Sequence, residues 1–281
     1  MIQIKTYAVA LLAFAATAAM WAPAHAGPVS TLYLTNWSSK TLYTVQGDAV
    51  TGSAPTYCNH CEQPIAVYGD VRTMGNGNGF GGRYNLDLTQ TGTTYVQSTA
   101  VGLVDGTTDG RRNYAVAAGY DGNASAVYAF DREWGDPTLL FLAGDGVRAT
   151  GITYDPTNNT LWLQGALETQ NGTTGVLRNY QMGGALIASL TDLEGGALAM
   201  DYADNTLWVV RGPTQYFDQY SRDGTPLQTT TYGDLVGKNG TGAEFDLAVA
   251  PTRLPEPGSL SMALSALAGL LLVGRRRRRP A

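Results

Sequence analysis

The chain has 281 residues, 18 basic against 23 acidic side chains and two histidines, for a formal net charge of −5. An acidic balance of this kind excludes a phosphate-backbone binder, whose affinity is built on clustered Lys and Arg. The 35 glycines and 16 tyrosines, with hardly any apolar run of helical period, point to an all-β chain.

At the amino terminus Lys5 supplies a positive charge, residues 7–19 an apolar stretch, and Ala24, His25 and Ala26 a small-residue cleavage site before Gly27. This is the pattern of a secretory signal peptide over 1–26, which implies passage through the Sec translocon and removal by signal peptidase. A lipoprotein signal would place a cysteine after the cleavage point, where the chain has Gly27.

From Gly27 onward, short alternating runs dominate. Residues 31–35, 41–45, 113–117, 126–130 and 206–210 read as strands, punctuated by Asp-Gly, Asn-Gly and Gly-Gly pairs that supply tight turns. Between the second and third of these runs lie the two cysteines, Cys58 and Cys61, flanking Asn59 and His60. An exported chain makes a small local disulfide the first expectation. A metal half-site using His60 is the alternative, although no second Cys or His cluster exists to complete a tetrahedral set. Haem attachment would need His after the second cysteine, and the residue there is Glu62. The glycine-rich segment 75–82 lacks the Lys-Ser/Thr of a phosphate loop and reads as a flexible loop. Asp121, Gly122 and Asn123 open like a calcium loop, but the sixth and twelfth positions are Ala126 and Arg132 rather than Gly and Glu, so no cofactor is expected and calcium is the remaining candidate.

The informative feature of the middle of the chain is an internal repeat. Residues 151–163 recur as 197–209, forty-six positions on, and 179–187 recur as 219–227, forty positions on. Each copy runs strand, Asp/Asn turn, aromatic strand, loop, strand, glycine turn, strand, which is the size and order of a four-stranded propeller blade. Three clear blades begin near Gly102, Gly151 and Gly196, a degenerate one spans 64–98, and 30–48 holds only middle strands. Segment 244–251 aligns with 197–202 and would complete that opening blade, closing the ring and removing exposed edges. The expectation is a β-propeller of about five blades over 27–253, with six blades or a β-sandwich as alternatives. Through its aromatic strand and turn the repeat resembles secreted bacterial propellers of the YVTN or NHL type, a likeness that implies fold and not activity.

Candidate chemistry is sparse. Outside the signal peptide His60 is the only histidine, which argues against a Ser-His-Asp site. Asp155, Asp201 and Asp246 fall near blade starts, where metal-dependent propeller hydrolases gather ligands, yet Asp155 and Asp201 sit in the repeat turn and read first as Asx-turn residues. Trp162, Trp208 and Tyr33 share one repeat position. Packing between blades is their first reading, and stacking on sugar rings the second.

The carboxyl terminus is an ordered series: Pro255, Glu256 and Pro257, an apolar run over 259–274, then Arg275, Arg276, Arg277, Arg278 and Arg279. Sixteen apolar residues reach about 24 Å as a helix, short of the ~30 Å of bilayer hydrocarbon, so the run suits a transient anchor with the arginines as a stop-transfer cluster. Over 254–281 the tail resembles the PEP-CTERM sorting signal. That resemblance implies recognition of the Pro-Glu-Pro residues by an exosortase, a membrane-embedded cysteine transpeptidase, in a Gram-negative host that makes exopolysaccharide. It also implies an inner-membrane intermediate followed by delivery to the cell surface or beyond. Lys5 and the tail arginines are six of the 18 basic residues and Glu256 one of the 23 acidic ones, leaving 12 basic against 22 acidic groups between the two ends. The expectation is therefore a non-enzymatic exported surface or biofilm-matrix protein that binds exopolysaccharide or a surface protein. A degenerate metal-dependent propeller hydrolase or lactonase is the alternative.

Overall fold

The computed structural model describes residues 27–249 apart from the internal positions 59–61, 77–78, 97–100, 121–123, 145, 170–171, 192, 194, 212–215 and 239. The chain enters as β1 (Leu32–Asn36), β2 (Thr41–Gln46) and β3 (Ala49–Pro55). It continues as β4 (Glu62–Val67), β5 (Val71–Gly75), β6 (Phe80–Tyr84) and β7 (Gln90–Val96), then β8 (Leu103–Thr108), β9 (Asn113–Tyr120), β10 (Ala124–Phe130) and β11 (Thr138–Ala143). After β12 (Val147–Asp155), β13 (Thr160–Thr169), β14 (Gly172–Gln181) and β15 (Leu186–Thr191) come β16 (Gly196–Asp201), β17 (Thr206–Arg211), β18 (Tyr216–Tyr220), β19 (Pro226–Thr231) and β20 (Gly240–Phe245).

These strands form five antiparallel four-stranded sheets, four of them built from consecutive strands and the fifth ordered β20-β1-β2-β3. Inner strands β20, β4, β8, β12 and β16 contact one another in a closed ring, so the molecule is a five-bladed β-propeller. Burial follows that geometry. Every residue of β4 is buried, whereas the outer strands β15 and β19 alternate exposed and half-buried positions, as edge strands facing water on one side must.

The repeat has a local physical cause. In Asp155 to Thr160 and Asp201 to Thr206 the leading aspartate accepts the N–H two residues on, at 2.9 Å from Thr157 and 3.0 Å from Ala203. The turn then needs one residue with positive φ, and Asn159 (54°) and Asn205 (59°) supply it. Within the second matched piece, Gly184 (φ 86°) and Gly224 (φ 84°) each make the hairpin turn into their blade's outer strand.

Closure of the ring differs in register from the sequence expectation. The completing strand is Gly240–Phe245 rather than 244–251, and it pairs with β1 through Leu32–Phe245, Tyr33–Glu244 and Leu34–Ala243. Asp246, the counterpart of Asp155 and Asp201, ends the strand, and a 3-10 turn over Leu247–Val249 follows. Gly242 lies inside this strand, where a Cβ would fall 2.0 Å from the Gln63 carbonyl of the second blade. The glycine-rich segment 75–82 is also not a loop throughout. Gly75 closes β5, and Gly81 and Gly82 lie inside β6, where the Gly82 N–H donates to Thr73 Oγ1 at 3.0 Å. Among the described residues no helix is long and apolar enough to cross a membrane.

Candidate functional site

Polar side chains close the channel at the centre of the ring. A β-bulge shifts the register of β8 between Leu103 and Asp105, and bulges of this kind re-aim a side chain. Asp105 Oδ1 accepts the backbone N–H groups of Gly106 (2.9 Å) and Ala243 (3.1 Å), while Oδ2 accepts those of Ile152 and Leu198, both at 3.0 Å. A single carboxylate thus ties together blades three, one, four and five. Blade two joins separately, through the Thr35 hydroxyl donating to the Gln63 carbonyl at 2.7 Å.

Glu244 of β20 lies in the same buried centre. Its Oε1 accepts the Phe245 N–H at 3.0 Å and lies 3.3 Å from the Tyr202 hydroxyl, while Oε2 is buried with no hydrogen-bond partner among the described residues. Loss of solvent pushes both carboxyls well above the ordinary range, and four backbone N–H donors oppose that rise at Asp105. Of the two, Glu244 is equipped to hold the proton, because four backbone N–H donors favour the charged form of Asp105 and a charged Asp105 nearby disfavours a second negative charge. Neither carboxyl was singled out from the sequence. In the sequence Asp105 stands in an otherwise unremarkable stretch, and Glu244 opens the segment that aligns with 197–202. The channel opens, on the side where the inner strands begin, into a funnel of about 360 Å³ lined by Gln63, Val104, Thr150, Gly196 and Thr241, one from each blade.

Asp155, Asp201 and Asp246 do not converge on this channel site. Each closes its own turn and reaches the next unit. Asp155 pairs with Arg222, Asp201 Oδ2 accepts the Ser30 N–H at 2.9 Å, and Asp246 Oδ1 accepts the Gly69 N–H at 2.9 Å. Among the described residues no group of three or more His, Cys, Asp and Glu side chains could hold a metal ion.

The larger concavity, about 970 Å³, lies between blades four and five, where the turns after β12, β14 and β18 meet. Trp162 lines it. The three aromatic residues of the repeat do occupy equivalent places, opposite Thr153, Ala199 and Glu244 on their inner strands. Their surroundings differ. Trp208 is fully buried and its indole N–H donates to Thr206 Oγ1 at 3.1 Å, while the Tyr33 hydroxyl donates to the Leu86 carbonyl at 3.2 Å. In blade four the Thr160 hydroxyl receives Asn179 Nδ2 at 3.1 Å instead, and the buried Trp162 N–H has no partner among the described residues.

Cys58 is buried and disulfide-bonded. Cys61, its expected partner, lies outside the described residues, as do His60, the calcium-like Asp121 to Asn123, and Ala24 and Ala26. The tail residues Pro255, Glu256, Pro257 and Arg275 to Arg279 also lie outside them. Gly27 is described, and is buried against Gly47 and Tyr232.

No family model matches the chain, and no curated protein matches it. Solved structures do. A chain from the crystal structure of a nidogen/laminin complex is 12% identical with a TM-score of 0.51, over 78% of this chain and 99% of that one. A Bacteroides caccae protein of unknown function is 12% identical with a TM-score of 0.43, over 73% of each chain. A functionally unknown protein from Desulfotomaculum acetoxidans is 13% identical with a TM-score of 0.41, over 77% of this chain and 86% of that one. At such identities the first likeness speaks to fold alone.

Proposed function

We propose that this propeller is a non-enzymatic binding protein, exported through its signal peptide and sorted to the cell surface or extracellular matrix by its PEP-CTERM-like tail. Its partner in that setting is an extracellular polymer, exopolysaccharide foremost. The observation that carries the non-catalytic reading is the state of Asp105. A channel carboxylate available for catalysis keeps lone pairs free for substrate or metal, whereas both oxygens of Asp105 are engaged by four backbone amides of four blades. Asp155, Asp201 and Asp246 are likewise spent on turns and blade contacts. The sorting half rests on the order Pro255-Glu256-Pro257, apolar run, arginine cluster, and on the secretory-signal pattern over 1–26. An exosortase would read Pro255, Glu256 and Pro257 as substrate, with the membrane engaged only during transfer.

The test is co-sedimentation of the purified protein with exopolysaccharide from its own host. Saturable co-sedimentation, competed by soluble polymer, is the expected result. Protein left entirely in the supernatant at every polymer concentration would overturn the polymer-binding reading.

A further inference from the structure

The groove between blades four and five differs from the corresponding place one blade on. In blade five the position is internally satisfied. Thr206 Oγ1 receives both Trp208 Nε1 (3.1 Å) and Gln219 Nε2 (2.9 Å) and donates to Asp204 Oδ1 at 2.7 Å, under a fully buried indole. Blade four puts the neutral amides Asn158 and Asn179 where blade five has Asp204 and Gln219. Gln181 is exposed beside them, Ile187 adds an exposed apolar side chain, and the Trp162 N–H beneath is buried without a partner among the described residues. Such a buried, unpaired donor is uncommon in a folded protein and calls for an explanation.

We propose that this groove binds a neutral oligosaccharide, an inference that rests on the polymer-binding reading above and assigns it a place. Side-chain amides donate and accept at once, as sugar hydroxyls do, and the exposed Ile187 offers an apolar contact to a sugar ring above the buried Trp162 indole. A volume of about 970 Å³ suits an oligomer rather than an ion. The charge pattern selects the neutral class. Arg222, the cation at the groove, is already paired with buried Asp155, and an excess of acidic groups repels polyanions.

The test uses the exported protein labelled with 15N-tryptophan, whose chain from Gly27 contains Trp37, Trp134, Trp162 and Trp208. The Trp162 indole signal is assigned by its loss in Trp162→Phe. The protein is titrated with a millimolar mixture of neutral gluco-, manno- and galacto-hexasaccharides, and separately with oligogalacturonate. The expected result is a saturable shift of the Trp162 signal with the neutral mixture only, an unmoved Trp208 signal, and binding about tenfold weaker in Gln181→Ala, the scale of one lost hydrogen bond. An unmoved Trp162 signal, or a Gln181→Ala protein that titrates like the parent, would overturn the site. An equal response to oligogalacturonate would overturn the neutral class. If host exopolysaccharide still co-sediments while Trp162 stays silent, the groove assignment fails and the binding function stands.

Discussion

Asp105 accepts the backbone N–H of Ala243 at 3.1 Å across 138 residues of chain, joining the third blade to the strand that closes the ring. The same carboxylate accepts three further backbone N–H groups, so replacing it exposes how much of the closure depends on one side chain. In Asp105→Asn the amide NH2 would face two N–H donors and leave them unpaired. Each buried donor so orphaned costs about 1–3 kcal/mol. Urea denaturation should show a loss of unfolding free energy of that scale or larger. A variant within about 0.5 kcal/mol of the parent, the range of an ordinary surface substitution, would show that the knot carries no stability.

Glu244 predicts a pH dependence. Its folded-state pKa is raised by burial above that of the unfolded chain, so the native state binds more protons than the unfolded one. The sign follows: this contribution is fully present below the ordinary carboxyl pKa of about 4.3 and declines as pH rises above it. Glu244→Gln removes the titration and keeps an oxygen for the Phe245 N–H. The stability of the parent relative to Glu244→Gln should fall as pH rises above the ordinary carboxyl range in paired denaturation curves, and parallel curves would contradict the protonated assignment.

Gly242 marks a close approach at the seam between blades one and two, since a Cβ there would meet the Gln63 carbonyl at 2.0 Å and Thr35 Oγ1 at 2.7 Å. Gly242→Ala should cost about 1–3 kcal/mol through forced backbone movement. Gly233→Ala, at a position with nothing within 4 Å, should leave the thermal midpoint almost unchanged. Equal effects of the two substitutions would remove the close-approach argument.

Trp208→Phe and Trp162→Phe should separate although the two residues share a repeat position. The first breaks a hydrogen bond to Thr206, while the second deletes a buried donor that has no partner. Trp208→Phe should therefore be the more destabilising by roughly 1 kcal/mol or more in equilibrium unfolding. The reverse order would mean that the Trp162 N–H is satisfied in solution.

The fold was legible in the sequence wherever the turn chemistry repeats. Asp155 with Asn159 and Asp201 with Asn205 need the same residue types at the same spacing, because an Asx turn followed by a positive-φ residue admits few others. The closing strand was legible as a segment but not in register, since its pattern had to be read together with a strand more than two hundred residues earlier. The second blade was visible only as a degenerate copy. Its turn from β4 to β5 lacks the repeat aspartate and draws instead on Asp246 of another blade, which bonds the Gly69 N–H. Asp105 was not legible at all. Nothing local distinguishes a solvent-facing aspartate from one turned into the channel by a bulge at Val104. The groove was half legible: Trp162 stood out as a repeat position, but only the packing around it distinguishes it from Trp208.

Intact-mass spectrometry of the protein recovered from the surface or medium of its native host tests the central claim most directly, because the proposed binding role depends on delivery outside the cell. The account predicts a species that begins at Gly27, ends close to Pro255, Glu256 and Pro257, and lacks Arg275 to Arg279. A surface or medium form that keeps the whole tail through Ala281 would contradict it.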